Sequence, residues 1–149
     1  MTLRIPSPIA TWALLLGLVS APATGAERVV ALGGDVTEIV YALGAGDRLV
    51  AVDSTSDHPP AAADLPDLGY FRRLAAEPIV ALEPDLVLAS AASGPPVVLE
   101  QLRAARVPVA IIPDDAGVDG VVDKIAAVGR ALDRETAADA LAAEVEGEV

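Results

Sequence analysis

The strongest constraint on the fold is an alternation of short β-branched runs with stretches in which apolar residues recur at helical spacing. The runs predicted to be strands lie at residues 28–32, 48–52, 86–89 and 107–112. Short loops rich in glycine and proline join them to the helical stretches. This order is typical of α/β proteins, and it predicts a doubly wound parallel sheet of about four strands with helices on both faces.

Helical stretches follow these runs. They cover residues 35–43, 77–82, a segment that begins with Pro95 and Pro96, residues 118–132, and a last segment from about residue 134. Asp35 is expected to cap the first helix, because its carboxylate can accept a hydrogen bond from the free N–H groups of the first turn. Gly44 and Gly46 are expected to end that helix. The fourth helix has a predicted inward stripe of apolar residues, namely Val118, Val121, Val122, Ile125, Val128 and Leu132.

The loops at the carboxyl ends of the strands are the candidate binding region, because ligands bind at that edge of a parallel sheet. These loops cover residues 33–35, 53–73, 90–96 and 113–117. The predicted cleft positions within them are Gly33, Gly34, Asp35, Gly94 and Pro95.

The first 26 residues have the order of a secretory signal peptide. Arg4 is the one charge before Glu27, an apolar run covers residues 9–19, and the small residues SAPATGA follow. The run is shorter than the roughly 20 residues that a bilayer span needs, although an uncleaved anchor stays an alternative. No cysteine follows the run, which excludes a lipid-anchored lipoprotein. The sequence therefore predicts export to the periplasm and a mature domain over residues 27–149.

Charge and composition exclude several classes of partner and site. The chain has 10 Lys and Arg against 22 Asp and Glu, for a net charge of −12, so nucleic acid and anionic membranes are poor partners. The absence of cysteine excludes disulfides, iron–sulfur clusters and thiolate zinc sites. A domain of this size can rely on its apolar core instead.

Catalytic motifs are missing from the sequence. The single histidine, His58, precedes two prolines, and no serine lies in a nucleophile-elbow pattern. The segment VVALGGDVTE has a strand–glycine–helix outline but lacks both the G-x-G-x-x-G pattern and the lysine of a P-loop. Because no nucleophile, base and orienting group can be assembled, the chain is predicted not to be an enzyme.

A group of aromatic and cationic residues lies in the longest of the candidate binding loops, residues 53–73. Tyr70 and Phe71 are two of the chain's four aromatic residues, and Arg72 and Arg73 follow them directly. A phenolate is a hard oxygen donor that suits ferric iron, as in tyrosinate-ligated haem. A neighbouring guanidinium would favour the deprotonated phenol and could also pair with a ligand carboxylate. From chemistry alone, a surface turn without a ligand is an equal alternative.

The stretch LGYFRRLAAEPIVALEPDLVLAS, with GGDVTEIVYALG before it and SGPP after it, resembles the haemin-binding periplasmic proteins of bacterial ABC importers. These belong to a wider group of siderophore and cobalamin binding proteins with two lobes joined by a long helix. The resemblance covers residues 27–149 and implies the amino-terminal lobe, ending in the start of the bridging helix. The phrase EPIVALEPDLVLA is shared across the group, whereas the Gly-Tyr-x-Arg phrase at residues 69–72 points to haem.

The resemblance implies a role for particular residues. Tyr70 would be the axial ligand of ferric haem iron, and Arg72, with Arg73 beside it, would be the partner of the phenolate or of the haem. Glu77 matches the carboxylate that such proteins offer to an arginine of the inner-membrane permease. An acid in the first turn of a helix is also favoured by the helix dipole alone. Pro78 stands where the family commonly has glycine.

The implied function is to bind haem as a transported ligand in the periplasm and to deliver it, as a monomer, to an ABC permease for iron uptake. Because the second lobe of the family is missing from the sequence, a fragment is expected. Alternatives stay open at this point. They are a ferric-siderophore or corrinoid binding protein of the same fold, a truncated lobe that binds nothing, and a doubly wound enzyme without its glycine fingerprint.

Overall fold

The computed structural model describes residues 25–148, so the predicted signal peptide lies outside the described residues except for its last two positions. Within this part of the chain, one sheet contains four strands in the order β2-β1-β3-β4. All of its pairings are parallel. The strands are β1 (Val29–Leu32), β2 (Leu49–Val52), β3 (Leu86–Ser90) and β4 (Val109–Ile112). The predicted parallel sheet is confirmed, and each strand begins within two residues of its predicted start.

Helices follow in the predicted order. They are α1 (Gly34–Ala42), α2 (Ala76–Ala81), α3 (Pro96–Ala104), α4 (Gly117–Ala131) and α5 (Glu135–Gly147), with short 3₁₀ turns at Gly46–Arg48 and Pro60–Asp64. Gly44 ends α1 with φ +70, and the N–H of Ala45 donates to the Val40 carbonyl (3.0 Å), as at many helix C-termini. No helix within residues 25–148 has both the length and the apolar character needed to cross a membrane.

Two apolar cores cover the two faces of the sheet. On β1, Val29 and Ala31 pack against residues of α1, α4 and α5, whereas Val30 and Leu32 pack against residues of α2 and α3. All four side chains are fully buried. Alternation of this kind is what a strand buried on both faces requires, since successive side chains point to opposite sides. The predicted doubly wound arrangement is therefore confirmed.

Two helix-level predictions were wrong. Asp35 does not cap α1, because the helix begins one residue earlier, at Gly34, after a turn in which Gly33 has φ +120. Asp35 lies inside the first turn, where its carboxylate accepts from the N–H of Val36 (2.9 Å). In α4, Val121 belongs to the predicted inward stripe but is 42% exposed. Lys124, three residues later and outside the predicted stripe, is buried instead. That lysine is paired with the carboxylates of Asp35 and Asp114.

Candidate functional site

The predicted cleft loops lie together at the carboxyl edge of the sheet. Strand order reverses between β1 and β3, which is where open α/β sheets bind ligands. The loop after β1 starts α1 on one face, and the loop after β3 starts α3 on the other. The two loops approach closely, since a Cβ placed on Gly33 would lie 3.2 Å from the Cβ of Ser90. The structure thus brings Gly33, Gly34 and Asp35 to the same edge as Gly94 and Pro95.

The loop after β2 returns alongside its own strand before it reaches Tyr70. The N–H of Val52 donates to the Pro66 carbonyl (3.0 Å), and the N–H of Leu68 donates to the Val52 carbonyl (2.9 Å). Asp67 pairs with Val52 in a parallel bridge. This short addition to the sheet carries the chain outward in the strand direction. Tyr70 is therefore delivered to the carboxyl edge rather than left in a free loop.

We call residues 69–73 the Tyr70 turn. Gly69 enters it with φ +85, a conformation that favours glycine, and its N–H donates to the Asp67 carboxylate (2.7 Å). The N–H of Arg73 donates to the Tyr70 carbonyl (2.7 Å) and closes the turn.

Main-chain bonds also attach the Tyr70 turn to the loop after β3. The N–H of Gly94 donates to the Phe71 carbonyl (2.9 Å), and the N–H of Leu74 donates to the Gly94 carbonyl (3.0 Å). The turn is thus held on both sides by backbone hydrogen bonds, in which its side chains take no part. The predicted cleft position Gly94 serves as the attachment point.

The side chains of the Tyr70 turn form a small exposed platform. Tyr70 is 41% exposed, and its ring meets the ring of Phe71 edge to face, with centroids 5.1 Å apart. The guanidinium carbon of Arg72 lies 5.3 Å from the Phe71 ring centroid, a cation–π arrangement. Arg72 therefore lies on Phe71 in this structure, and within residues 25–148 no hydrogen bond involves the Tyr70 hydroxyl. Arg73 is exposed beside them.

The other tyrosine and the single histidine, which could also bind iron, lie elsewhere. Tyr41 is half-buried in α1 and packs against the core on that face. His58 is exposed in the loop after β2, directly before Pro59. Neither residue shares the Tyr70 turn.

A buried polar network at the same edge was missed by the sequence analysis. Asp53, which directly follows β2, is 1% exposed. Its carboxylate accepts from the N–H of Gly33 (2.9 Å), the N–H and hydroxyl of Thr55 (3.0 and 2.7 Å) and the hydroxyl of Ser56 (2.8 Å). Ser56 also bonds the hydroxyl of Thr37 in α1 (2.7 Å). We call these five residues the Asp53 network.

The Asp53 network explains the paired glycines after β1. The N–H of Gly34 donates to the Thr55 hydroxyl (3.0 Å), and a Cβ at Gly34 would lie 2.5 Å from the Thr55 carbonyl oxygen. The two loops can approach this closely because no side chain stands between them. An acid directly after a strand, followed by Ser-Thr-Ser, is the signal in the sequence that could have indicated the network.

A second polar group, the Lys124 cluster, consists of Lys124, Asp35 and Asp114. The Lys124 ammonium bonds the carboxylates of Asp35 and of Asp114, the latter at 2.8 Å. The lysine side chain is 10% exposed, whereas those of Asp35 and Asp114 are 50% and 42% exposed. Burial alone would lower the pKa of Lys124, but its hydrogen bonds to the two carboxylates and their charges outweigh that effect, so the pKa is raised. The cluster links the loops after β1 and β4.

Glu77 lies at the rim of a groove between α2 and α3. The helix begins at Ala76, so Glu77 and Pro78 occupy its first turn, where the missing N–H of proline costs no helical bond. The groove has a volume of about 700 Å³ and is mostly apolar. Besides Glu77, its lining residues are Leu74, Ala75, Ala76, Val80, Ala81, Val98 and Gln101. An exposed carboxylate beside an apolar groove can contact a cationic partner segment.

Comparisons with known proteins agree with this architecture. The chain matches the family described as periplasmic binding protein over residues 29–149. It is 40% identical over 124 residues to the vitamin B12-binding protein of Yersinia pestis (strain Pestoides F), an alignment that covers 81% of this chain and 44% of that protein.

Two solved structures show the same fold. The periplasmic heme-binding protein RhuT from Roseiflexus sp. RS-1, in apo form, matches with a TM-score of 0.80 at 48% identity, covering 83% of this chain and 48% of that one. The periplasmic vitamin B12 binding protein BtuF of Vibrio cholerae matches with a TM-score of 0.72 at 33% identity, covering 82% and 48%. The chain spans about half the length of these relatives. By its sequence and by its fold, the chain belongs to the periplasmic binding protein family.

Proposed function

We propose that the chain acts in the periplasm as the haem-binding lobe of a solute receptor, with Tyr70 as the ligand of ferric iron. The observation that carries the proposal is the Tyr70 turn. It presents an exposed phenol at the carboxyl edge of the sheet, on a backbone anchored from two sides. A ligand group fixed in this way loses little conformational entropy when it binds, which favours affinity.

The chemistry of the turn suits ferric haem. A phenolate is an established axial ligand of haem iron. Arg72 is the nearest cation in sequence, and a rotation of its exposed side chain away from Phe71 would bring the guanidinium toward the phenolate or a propionate. Arg73 offers a second exposed cation on the same turn. The high identity to a heme-binding protein, RhuT, supports the same choice of ligand.

A corrinoid is the second candidate ligand. It is favoured by the 40% identity to a vitamin B12-binding protein over most of this chain and by the structural match to BtuF. In that case Tyr70 and Phe71 would serve as an aromatic surface for the corrin ring, and the phenol oxygen would make no bond to the metal. A ferric siderophore would be the third ligand of the same fold.

Delivery to an ABC permease is the second part of the proposal. Glu77 is exposed at the rim of the groove between α2 and α3, so its carboxylate is free to pair with an arginine of the permease. Apolar side chains beside that arginine would fit the groove. Exchange of Glu77 for Gln should weaken binding to the permease while leaving haem binding unchanged, which a pull-down with permease-containing membranes would measure.

Titration with ferric haem and with cyanocobalamin tests the ligand. The wild-type chain should develop ferric phenolate charge-transfer bands with haem. Tyr70→Phe keeps the ring but removes the oxygen donor, so these bands should disappear and affinity should fall by at least about tenfold. His58→Ala is the matched control and should leave the spectrum unchanged. Bands that vanish in His58→Ala and persist in Tyr70→Phe would contradict the assignment, and binding of cyanocobalamin alone would favour the second candidate.

A further inference from the structure

We propose that the Lys124 cluster determines ligand orientation at the carboxyl edge, by holding the anionic side of the ligand away from itself and toward Arg72 and Arg73. The inference rests on the proposed function, since it concerns a porphyrin with two carboxylates on one side. It gives a role in ligand specificity to Lys124, Asp35 and Asp114. Within residues 25–148 these side chains form no hydrogen bond or ion pair with the Tyr70 turn.

The Lys124 cluster and the Tyr70 turn lie on opposite faces of the sheet at the same edge. Phe71 packs against the core of the face that α2 and α3 cover. Asp35 and Lys124 belong to α1 and α4, which cover the other face. A flat ring whose iron is bound to Tyr70 would therefore extend across the carboxyl edge toward the Lys124 cluster on one side and away from it on the other.

The two groups differ in the sign of their charge. One ammonium and two carboxylates give the Lys124 cluster a net charge of −1. Its exposed part is acidic, because the carboxylates are about half exposed and the lysine is buried. Within residues 25–148 the ion pairs are the two that Lys124 makes, so Arg72 and Arg73 form no ion pair in this part of the chain. The acid bonded to the turn is Asp67, which accepts from the N–H of Gly69, so the two arginines outnumber it.

Two other arginines bind backbone carbonyls of the fold. Arg28 donates to the carbonyls of Leu82 and Glu83, and Arg48 donates to the Leu132 carbonyl. The edge therefore has a cationic side at the Tyr70 turn and an acidic side at the Lys124 cluster. A ligand carboxylate is attracted to the first and repelled by the second.

Lys124 limits that repulsion. Replacing it with methionine would leave two unpaired carboxylates and lower the net charge of the cluster from −1 to −2. Exposed charges interact over distances set by the Debye length, about 10 Å at 0.1 M salt and about 30 Å at 0.01 M. The effect on a ligand carboxylate should therefore be largest in dilute buffer and should disappear at high salt.

The test compares ferric haem with its dimethyl ester, which has the same iron and ring but no free carboxylates. At about 10 mM salt, Lys124→Met should weaken haem binding by roughly threefold to tenfold and change ester binding by less than about twofold. The double variant Asp35→Asn with Asp114→Asn should instead strengthen haem binding. Asp139→Asn, in α5, is the control for removal of an exposed acid elsewhere. The differences should vanish at 0.5 M salt.

Orientation can be read separately from affinity. Proton NMR of the ferric complex resolves the shifted haem methyl signals, and the wild-type chain should give one dominant set. The double Asp variant should give two sets, because the acidic side no longer excludes the propionates. If Lys124→Met fails to fold, this variant still carries the test.

Three results would overturn the inference. Equal losses for haem and its ester in Lys124→Met would show that the cluster acts by structure alone. Unchanged affinities and a single methyl set in every variant would show that the cluster has no role in binding. If the wild-type chain unfolds cooperatively but binds neither porphyrin, the proposed function fails and the inference falls with it. The first two results leave the proposed function intact.

Discussion

Asp53 and Tyr70 belong to the same long loop, but their polar side chains are used in opposite ways. Asp53 is 1% exposed, and its carboxylate accepts four hydrogen bonds from two loops. Tyr70 is 41% exposed, and the turn that carries it is held by backbone groups. The polar side chains around Asp53 stabilise the fold, whereas those of the Tyr70 turn are available to a ligand.

This difference separates a supporting region from a binding region. A buried carboxylate is stable only when donors compensate for its lost hydration, so the Asp53 network has no capacity left for a ligand. An exposed phenol on an anchored backbone has lost little hydration and can bond a metal without disrupting the fold. We therefore expect changes in the network to reduce stability and changes in the turn to reduce binding.

Removal of the Asp53 carboxylate should have the largest effect on stability. Asp53→Ala leaves the N–H of Gly33 and the donors of Thr55 and Ser56 without their acceptor, and we expect a loss of about 3–5 kcal/mol in the free energy of unfolding. Urea unfolding followed by circular dichroism measures it. Asp57→Ala, an exposed acid in the same loop, should change stability by about 0.5 kcal/mol or less. Similar losses in the two variants would remove the distinction between supporting and binding regions.

A methyl group at Gly34 should have the next largest effect. Gly34→Ala places a Cβ 2.5 Å from the Thr55 carbonyl oxygen, so the two loops must separate, at a cost of about 2–3 kcal/mol. Gly147→Ala is the matched control, because a Cβ there meets nothing within 4 Å and the residue is helical. That variant should be neutral or slightly stabilised. A Gly34→Ala chain as stable as the control would show that the loops are not tightly joined.

Lys124→Met should cost about 1 kcal/mol near pH 8, because the partner carboxylates are half exposed and solvent screens them. The pKa of Lys124 is raised in the folded chain. Its stabilising contribution is therefore complete below the unfolded pKa of about 10.4 and is lost as pH rises through the folded pKa.

The pH dependence of that contribution is measurable by difference. Urea midpoints of the wild-type chain and of Lys124→Met should differ by a constant amount from pH 8 to about pH 10 and should converge above it. A gap that stays constant to pH 11 would mean that packing of the lysine stem, and not its charge, supports the cluster.

The smallest effects on stability are expected in the Tyr70 turn. Tyr70→Phe and Arg72→Ala should each change the free energy of unfolding by about 0.5 kcal/mol, since the phenol is free and the exposed cation–π contact is weak. The same samples should show reduced haem affinity in the titration. A loss as large as that of Asp53→Ala would place the turn in the supporting region and contradict the comparison.

Much of the fold could be predicted because its signals are local. Runs such as VVAL and LVLAS are β-branched or aliphatic, and a residue that breaks regular structure follows two of the four strands directly, namely Gly33 after β1 and Pro113 after β4. Even the misplaced start of β4 has a local cause, because Pro108 has no N–H to offer a neighbouring strand. The cap assigned to Asp35 was wrong for a reason that is not local. The N–H groups of Gly33 and Gly34 donate to Asp53 and Thr55 in the loop after β2, which lets α1 begin early.

The candidate site likewise has features that local sequence predicts and features that depend on distant contacts. By itself, the sequence determined the alternation that builds a parallel sheet and the Gly-Tyr-Phe-Arg order that puts a phenol beside a guanidinium, because both depend on neighbouring residues. The tertiary structure alone decided the strand order, the Asp53 network and the Lys124 cluster. Asp53 meets Gly33 across 20 residues, and Lys124 meets Asp35 across 89. Contacts at such separations depend on how complete strands and helices pack, and the packing free energy of two cores is not contained in any short stretch of chain.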